Sequence, residues 1–384
     1  MRVLYLQYTN PAAYPPLQHS SRILADKGWK VLFLGTSAHG ADALEFPLHP
    51  NIHLKRLPFC PAGWRQKLHY VQFAFWAFLW VLLWRPGWIY LSDPLACPIG
   101  LLLSLVPGLK MLYHEHDSPN LKREGSVSRF ESVVLTTRRK VAQRASLSIL
   151  PNEGRAERFK QETGAHRPII RVWNCPALEE ARQNGLQRDS QKFVIFFHGS
   201  LVPWRIPTTV LEALTKLPDR VVLHVAGYET IGHAGYLQAL KDQATLLGVH
   251  NRFMVLGPLP RYSLLDHCRG AGVGLAFMAL RSDDVNEQLM AGASNKPFDY
   301  LACGLALLVS DLPDWKELFV EPGYGLACDP QDPESIARQL RWFVEHPVET
   351  RSMGAKGHQR ILSEWNYEKQ FSSVLHHLNR SVQA

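Results

Sequence analysis

The chain has 384 residues, of which 46% are hydrophobic and 20% charged, with six cysteines. That length and apolar content support two or three domains with buried cores and exclude a disordered chain or a disulfide scaffold. The net charge of +8 belongs wholly to the first half: residues 1–180 hold 22 Lys and Arg against 13 Asp and Glu, giving +9, and the rest hold 20 against 21, giving −1.

In chain order, Met1-Arg2 leads into Val3–Tyr8, a short apolar run that reads as a buried strand and not as a secretory signal. A helix over Gln18–Lys27 is ended by Gly28, and Lys30–Leu34 is the next strand. Trp64–Trp84 reads as a long helix closed by Arg85-Pro86-Gly87. Its uninterrupted apolar run, Phe73–Trp84, holds 12 residues, whereas a spanning helix needs about 20, so it is a core or interfacial helix and not an anchor. Trp88–Leu91 is a strand with Asp93-Pro94 at its end, Cys97–Leu105 a helix, and Lys110–His114 a strand leading into Glu115-His116-Asp117. Ser128–Arg144 is a basic helix and Leu147–Leu150 a strand.

The pattern breaks between Pro176 and Gln191, where Glu179–Gly185 reads as a linker. It then restarts: strands at Phe193–His198, Val221–Ala226, Phe253–Leu256, Val273–Ala276 and Ala306–Val309 alternate with helices at Thr208–Thr215, Leu237–Leu247, Ser263–Cys268, Asn295–Cys303 and Ser335–Glu345. Strands alternating with helices predict parallel sheets, hence an α/β chain of two Rossmann-like domains facing across a cleft. The expected division is 1–180, 181–364, and a helix in 365–384 returning to the first domain. In such sheets ligands bind beyond the carboxyl ends of the strands, which places Tyr8–Ala13, Ser92-Asp93 and Glu115–Pro119 on one candidate rim.

Ser294–Gly304 (SNKPFDYLACG) is the stretch richest in chemistry. Ser294 suits an N-cap and Gly304 a C-terminal stop, so Lys296 falls in the first helical turn, where its charge and the helix N-terminus add. Asp299 follows three residues on. A cation and a carboxylate there could hold a phosphate and a sugar hydroxyl, but spacing alone favours an ordinary capped helix with a solvated Lys and Asp. Arg205, in His198–Arg205 after a strand, is a second cation that matters only if it converges with Lys296.

These residues resemble the nucleotide-binding domain of GT-B glycosyltransferases, in particular the retaining family four. Phe197-His198-Gly199-Ser200 through Arg205 is similar to the family's phosphate loop, Asn251–Pro258 to the strand before its base-binding loop, and Ser294–Gly304 with Leu308–Asp311 to its donor-binding helix and strand. Leu112–Asp117 resembles the strand whose terminal His approaches the donor sugar, and that His is His116; Val172–Pro176 resembles the segment closing the first domain. The resemblance implies that Arg205 and Lys296 bind the diphosphate, with Gly199, Ser200, Ser294 and Asn295 around it. It also implies that Asp299 accepts the ribose hydroxyls and His116 contacts the sugar. The family's paired glutamates are reduced here to Asp299, with Ala291 at the other position, and its glycine loop after the first strand is Thr9–Ala13, without glycine.

The implied function is transfer of a sugar from a nucleotide-diphosphate sugar, UDP-linked rather than GDP-linked, to a lipid-linked or polysaccharide acceptor with retention. A nucleotide-sugar epimerase and an inactive nucleotide-binding module share the architecture. No cofactor and no metal are expected: no Asp-x-Asp pair occurs, no Cys/His group has zinc spacing, and His49 and His53 lie among prolines. Without a C-x-x-C pair, the chain reads as a reduced cytoplasmic enzyme. The basic first half suits an anionic membrane at the inner face or simple solubility, and nucleic acid lacks a recognition motif. Arg138–Arg144, Lys122-Arg123 and Trp64 are the expected membrane contacts. Trp76, Trp80, Trp84 and Trp88 recur at helical spacing and read as core packing, with a membrane interface as the alternative.

Overall fold

A computed structural model of the protein describes residues 1–38, 44–46, 48–120, 128–182 and 191–383. Lys122 and Arg123 lie outside the described residues, as does part of the expected linker. The chain forms two compact units. The first comprises Met1–Asn174, Asp283–Ala293 and Tyr367–Ala384; the second comprises Cys175–Ser282 and Ser294–Asn366.

Among the described residues the first unit holds seven parallel strands: β1 (Arg2–Leu6), β2 (Lys30–Thr36), β3 (Ile52–Leu57), β4 (Trp88–Ser92), β5 (Lys110–His114), β6 (Leu147–Leu150) and β7 (Ile169–Arg171), in the order β3-β2-β1-β4-β5-β6-β7. Alternation along β1 sends Leu4 and Leu6 into one core and Val3 and Tyr5 into the other. The first core packs under the helices Trp64–Trp84, Cys97–Leu103 and Arg129–Arg144. The second packs under Pro15–Asp26 and the C-terminal helix Tyr367–Gln383, whose Tyr367, Phe371, Val374 and Leu378 are fully buried. The helix Trp64–Trp84 has the predicted bounds; Arg85, in the left-handed conformation at φ 49°, caps it. Trp88 is buried at the start of β4, and Trp76, Trp80 and Trp84 pack partly buried on the same core. Core packing is therefore the tryptophans' structural role.

The basic helix Arg129–Arg144 departs from expectation. Arg138 is 3% exposed, donates to both oxygens of Glu115 at 2.6 and 2.7 Å, and pairs with Glu162 at 2.9 Å. It is an internal ion pair and not a membrane contact, because the fully buried Glu115 needs a cation beside it. Arg139, Lys140 and Arg144 remain exposed.

The second unit holds β8 (Phe193–Leu201), β9 (Val221–Glu229), β10 (Phe253–Gly257), β11 (Val273–Ala276), β12 (Ala306–Ser310) and β13 (Gly325–Cys328), all parallel, in the order β10-β9-β8-β11-β12-β13. In both sheets the strand order reverses beside the first strand of the unit, which is where α/β sheets open a crevice for ligands. All six cysteines are free. Among the described residues no helix is long and apolar enough to cross a membrane.

Candidate functional site

In the second unit the candidate site grows from the carboxyl end of β8. The strand runs three residues further than the sequence pattern indicates, through Gly199, Ser200 and Leu201, in register with Gly227, Tyr228 and Glu229 of β9. Glycine at 227 permits this, since a Cβ there would lie 1.9 Å from the Gly199 carbonyl oxygen. Gly199 itself has φ +117°, a conformation that side chains rarely adopt.

The helix Asn295–Ala302 starts beside this strand end. Ser294 takes the N-cap position but, contrary to expectation, its side chain makes no capping hydrogen bond, so the first turn's N–H groups have no cap from it. Asn295 and Lys296 form that turn, and Gly304 ends the helix at φ +71° as predicted. The Lys296 ammonium sits against Gly199 and 5.9 Å from the centre of the Phe197 ring. Burial first, and then the Arg205 charge, hold its pKa well below the ordinary lysine value, with Asp299 opposing. Arg205, in the turn after β8, donates to Ser200 Oγ at 2.7 Å, and its buried Nε finds no acceptor among the described residues. The structure thus brings Gly199, Ser200, Arg205, Ser294, Asn295, Lys296 and Asp299 to one end of the second sheet.

Asp299 does not present the open carboxylate that the sequence suggests. It is 1% exposed, and Arg261 donates to both its oxygens at 2.9 and 2.7 Å. Arg261 also reaches both oxygens of Glu180, at 2.7 and 2.9 Å. A carboxylate on a helix face this deeply buried requires a bidentate cation. His198 completes the cluster: its Nε2 lies 3.4 Å from Asp299, its backbone N–H donates to the Tyr300 hydroxyl at 3.0 Å, and burial with the Lys296 and Arg261 charges keeps it neutral. Neither Arg261 nor Glu180 carries a motif signal, because their partner is 38 or more residues away in sequence.

In the first unit the candidate rim is built at the ends of β1, β4 and β5. Asp93, just after β4, has φ 65° and ψ 163°, which non-glycine residues adopt at a cost of about 1–3 kcal/mol. Its carboxylate accepts from the backbone N–H groups of His116 at 2.8 Å and Asp117 at 3.4 Å, and from Gln7 at 3.3 Å. Burial, then the Asp117 charge, push its pKa up to about 7. His116 is 6% exposed, its ring 3.8 Å from that of His114, and its Nε2 has no partner among the described residues. Burial, then Arg155, lower its pKa to about 3, so it is neutral. Asp93 is the site residue that sequence reasoning placed on the rim without a role.

Arg155, 1% exposed, ties this rim to the returning segment 283–293: it donates to the carbonyls of His116, Asn286 and Leu289. Asn152 donates to the carbonyls of Leu289 and Ala291. The position where the resemblance lacks an acid is thus clamped by its backbone. The loop Thr9–Ala13, where glycines are absent, forms a short helical turn over Pro11–Ala13 capped by Asn10. A separate cavity of about 450 Å³, lined by Lys192, Arg220 and Arg351 among others, lies at the amino ends of β8, β9 and β11, the end of the sheet opposite to Lys296.

Residues 208–376 match a family model described as glycosyl transferase-like. No curated protein matches the chain. Among solved structures, sucrose-phosphate synthase from Thermosynechococcus elongatus superposes with a TM-score of 0.71 at 16% identity, covering 100% of this chain and 99% of that one. HepE of Anabaena, solved with UDP and glucose, gives 0.69 at 17% identity, covering 99% and 100%. WaaG, a glycosyltransferase involved in lipopolysaccharide biosynthesis, gives 0.69 at 13% identity, covering 97% and 98%. The chain has the GT-B fold that its sequence motifs resemble, and residues 208–376 are its glycosyl transferase-like segment.

Proposed function

We propose that the protein is a metal-independent glycosyltransferase that moves a sugar, with retention, from a UDP-sugar to a lipid-linked or surface-glycan acceptor presented at a membrane. The observation that carries this reading is the desolvated Lys296 ammonium seated against Gly199, beside Arg205 and an uncapped helix start. Breaking the bond between the anomeric carbon and the diphosphate leaves negative charge on the phosphate oxygens. Two fixed cations and a helix N-terminus stabilise that charge without a divalent ion; losing one preorganised donor costs about 2.7–4 kcal/mol, and the helix terminus adds about 0.3–2 kcal/mol. Gly199, Ser200, Ser294 and Asn295 line the diphosphate, and His116, neutral on the first unit, contacts the sugar. Asp299 acts through Arg261, holding the helix that carries Lys296. The UDP in HepE supports the choice of base, and the role of WaaG in lipopolysaccharide synthesis supports a surface-glycan acceptor.

The test is a thermal-shift screen of nucleoside diphosphates and their sugars, followed by mass spectrometry of a glycolipid acceptor with the stabilising donor, in chelator. A ligand at 100 times its dissociation constant adds about 2.7 kcal/mol of stability. Sugar appearing on the acceptor, lost in Lys296→Ala, is the expected result. Conversion of the donor to an epimer without acceptor, UDP binding without turnover, or a strict requirement for manganese or magnesium each overturns the reading.

A further inference from the structure

The helix Trp64–Trp84 is apolar on two faces, and only one is covered. Tyr70, Phe73, Ala77 and Val81 are buried in the first unit's core. The opposite face carries Trp64, Leu68, Val71, Phe75, Phe78 and Leu82, spaced four, three, four, three and four residues apart, so they form one stripe. They are between 41% and 67% exposed. An apolar stripe several turns long on an outer surface marks an interaction site. Its surroundings are basic. From Phe46 to Ser92 the sequence has no acidic residue and five cations: Lys55, Arg56, Arg65, Lys67 and Arg85. Within the helix no charge falls between Lys67 and its end, so the cations frame the stripe rather than interrupt it. Lys55 stands 4.8 Å from the centre of the Trp80 ring and Arg65 5.5 Å from that of Trp64.

We propose that this face docks on an anionic bilayer, the helix lying in the interface with its stripe among the acyl chains and the framing cations at the headgroups. An element lying in the interface combines apolar burial with attraction to anionic lipid, and the exposed stripe and its framing cations supply both here. A helix whose other face is part of a folded core must lie flat. The proposal deepens the reading of a membrane-presented acceptor and rests on it for its purpose, though its test needs no sugar transfer.

The full chain is sedimented with vesicles of phosphatidylcholine alone and of phosphatidylcholine with one quarter phosphatidylglycerol. Binding to the anionic vesicles is expected, and Leu68→Gln with Phe75→Gln lowers the partition coefficient at least tenfold. Unchanged melting of this variant shows that it folds, and unchanged UDP affinity shows that the second unit is intact. Absence of vesicle binding, equal binding by variant and wild type, or a dimer that the variant dissolves without any vesicle binding overturns the proposal, the last assigning the face to a second copy. Failure of sugar transfer with vesicle binding intact overturns the enzymatic reading alone.

Discussion

A Cβ on Gly199 would stand 2.8 Å from Cε and 3.1 Å from Nζ of Lys296. The space above the end of β8 is therefore already taken by the ammonium that the proposed reaction uses. Gly199→Ala must displace that flexible side chain and also hold alanine at φ +117°. We expect UDP affinity to fall at least tenfold, which is about 1.4 kcal/mol, with the melting temperature lowered. Titration calorimetry checks it; unchanged affinity would mean that Lys296 does not meet the diphosphate.

The Lys296 proton gives a second prediction. In the unliganded protein, burial and Arg205 lower its pKa. A bound diphosphate supplies the missing counter-charge and raises it, so binding takes up protons. Affinity should then weaken as pH rises through the free protein's Lys296 pKa. Calorimetry in two buffers of different ionisation enthalpy reads the uptake directly, and Lys296→Met should abolish it. Zero uptake across the pH range contradicts the assignment.

Arg261 carries a third. Its guanidinium is shared between Asp299 and Glu180. Removing one partner of a buried pair leaves uncompensated charge and costs about 3–5 kcal/mol. Arg261→Met should lower the unfolding free energy from urea titration by that amount, and Asp299→Asn by less, since Glu180 remains. If both variants melt like wild type, the network is not holding the Lys296 helix.

The sequence carries Lys296, Asp299 and Gly304 at legible spacing because a short helix ended by a glycine is a local object. The bounds of Trp64–Trp84, Lys110–His114 and Val273–Ala276 are likewise legible, set by local periodicity and stop signals. Several features needed the third dimension, the edge strand β13 among them. β3 was hidden by its Lys-Arg composition on an edge, β7 by its three residues, and the partners of Asp299 and Arg138 by sequence distance. Asp299 shows the consequence. Its spacing from Lys296 suggests a ligand contact, whereas burial commits both its oxygens to Arg261.

The last prediction concerns Asp93. Its pKa is about 7 in the folded chain, against about 3.9 for an ordinary carboxyl. Between those values the native state holds a proton that the unfolded state has released. Stability attributable to Asp93 therefore declines as pH rises from about 4 to about 7 and is level above that. Asp93→Asn keeps an oxygen for the N–H groups of His116 and Asp117 and removes the titration, while φ 65° with ψ 163° strains either residue. Any backbone difference is independent of pH; the charge gain is not. The melting-temperature advantage of Asp93→Asn over wild type should thus be small at pH 4.5, widen through pH 7 and level off by pH 8. The histidines beside it, His114 and His116, titrate in both proteins, so their contribution cancels in the difference. An advantage of equal size at every pH would leave only the backbone term and remove Asp93 as a group poised to exchange a proton near neutrality.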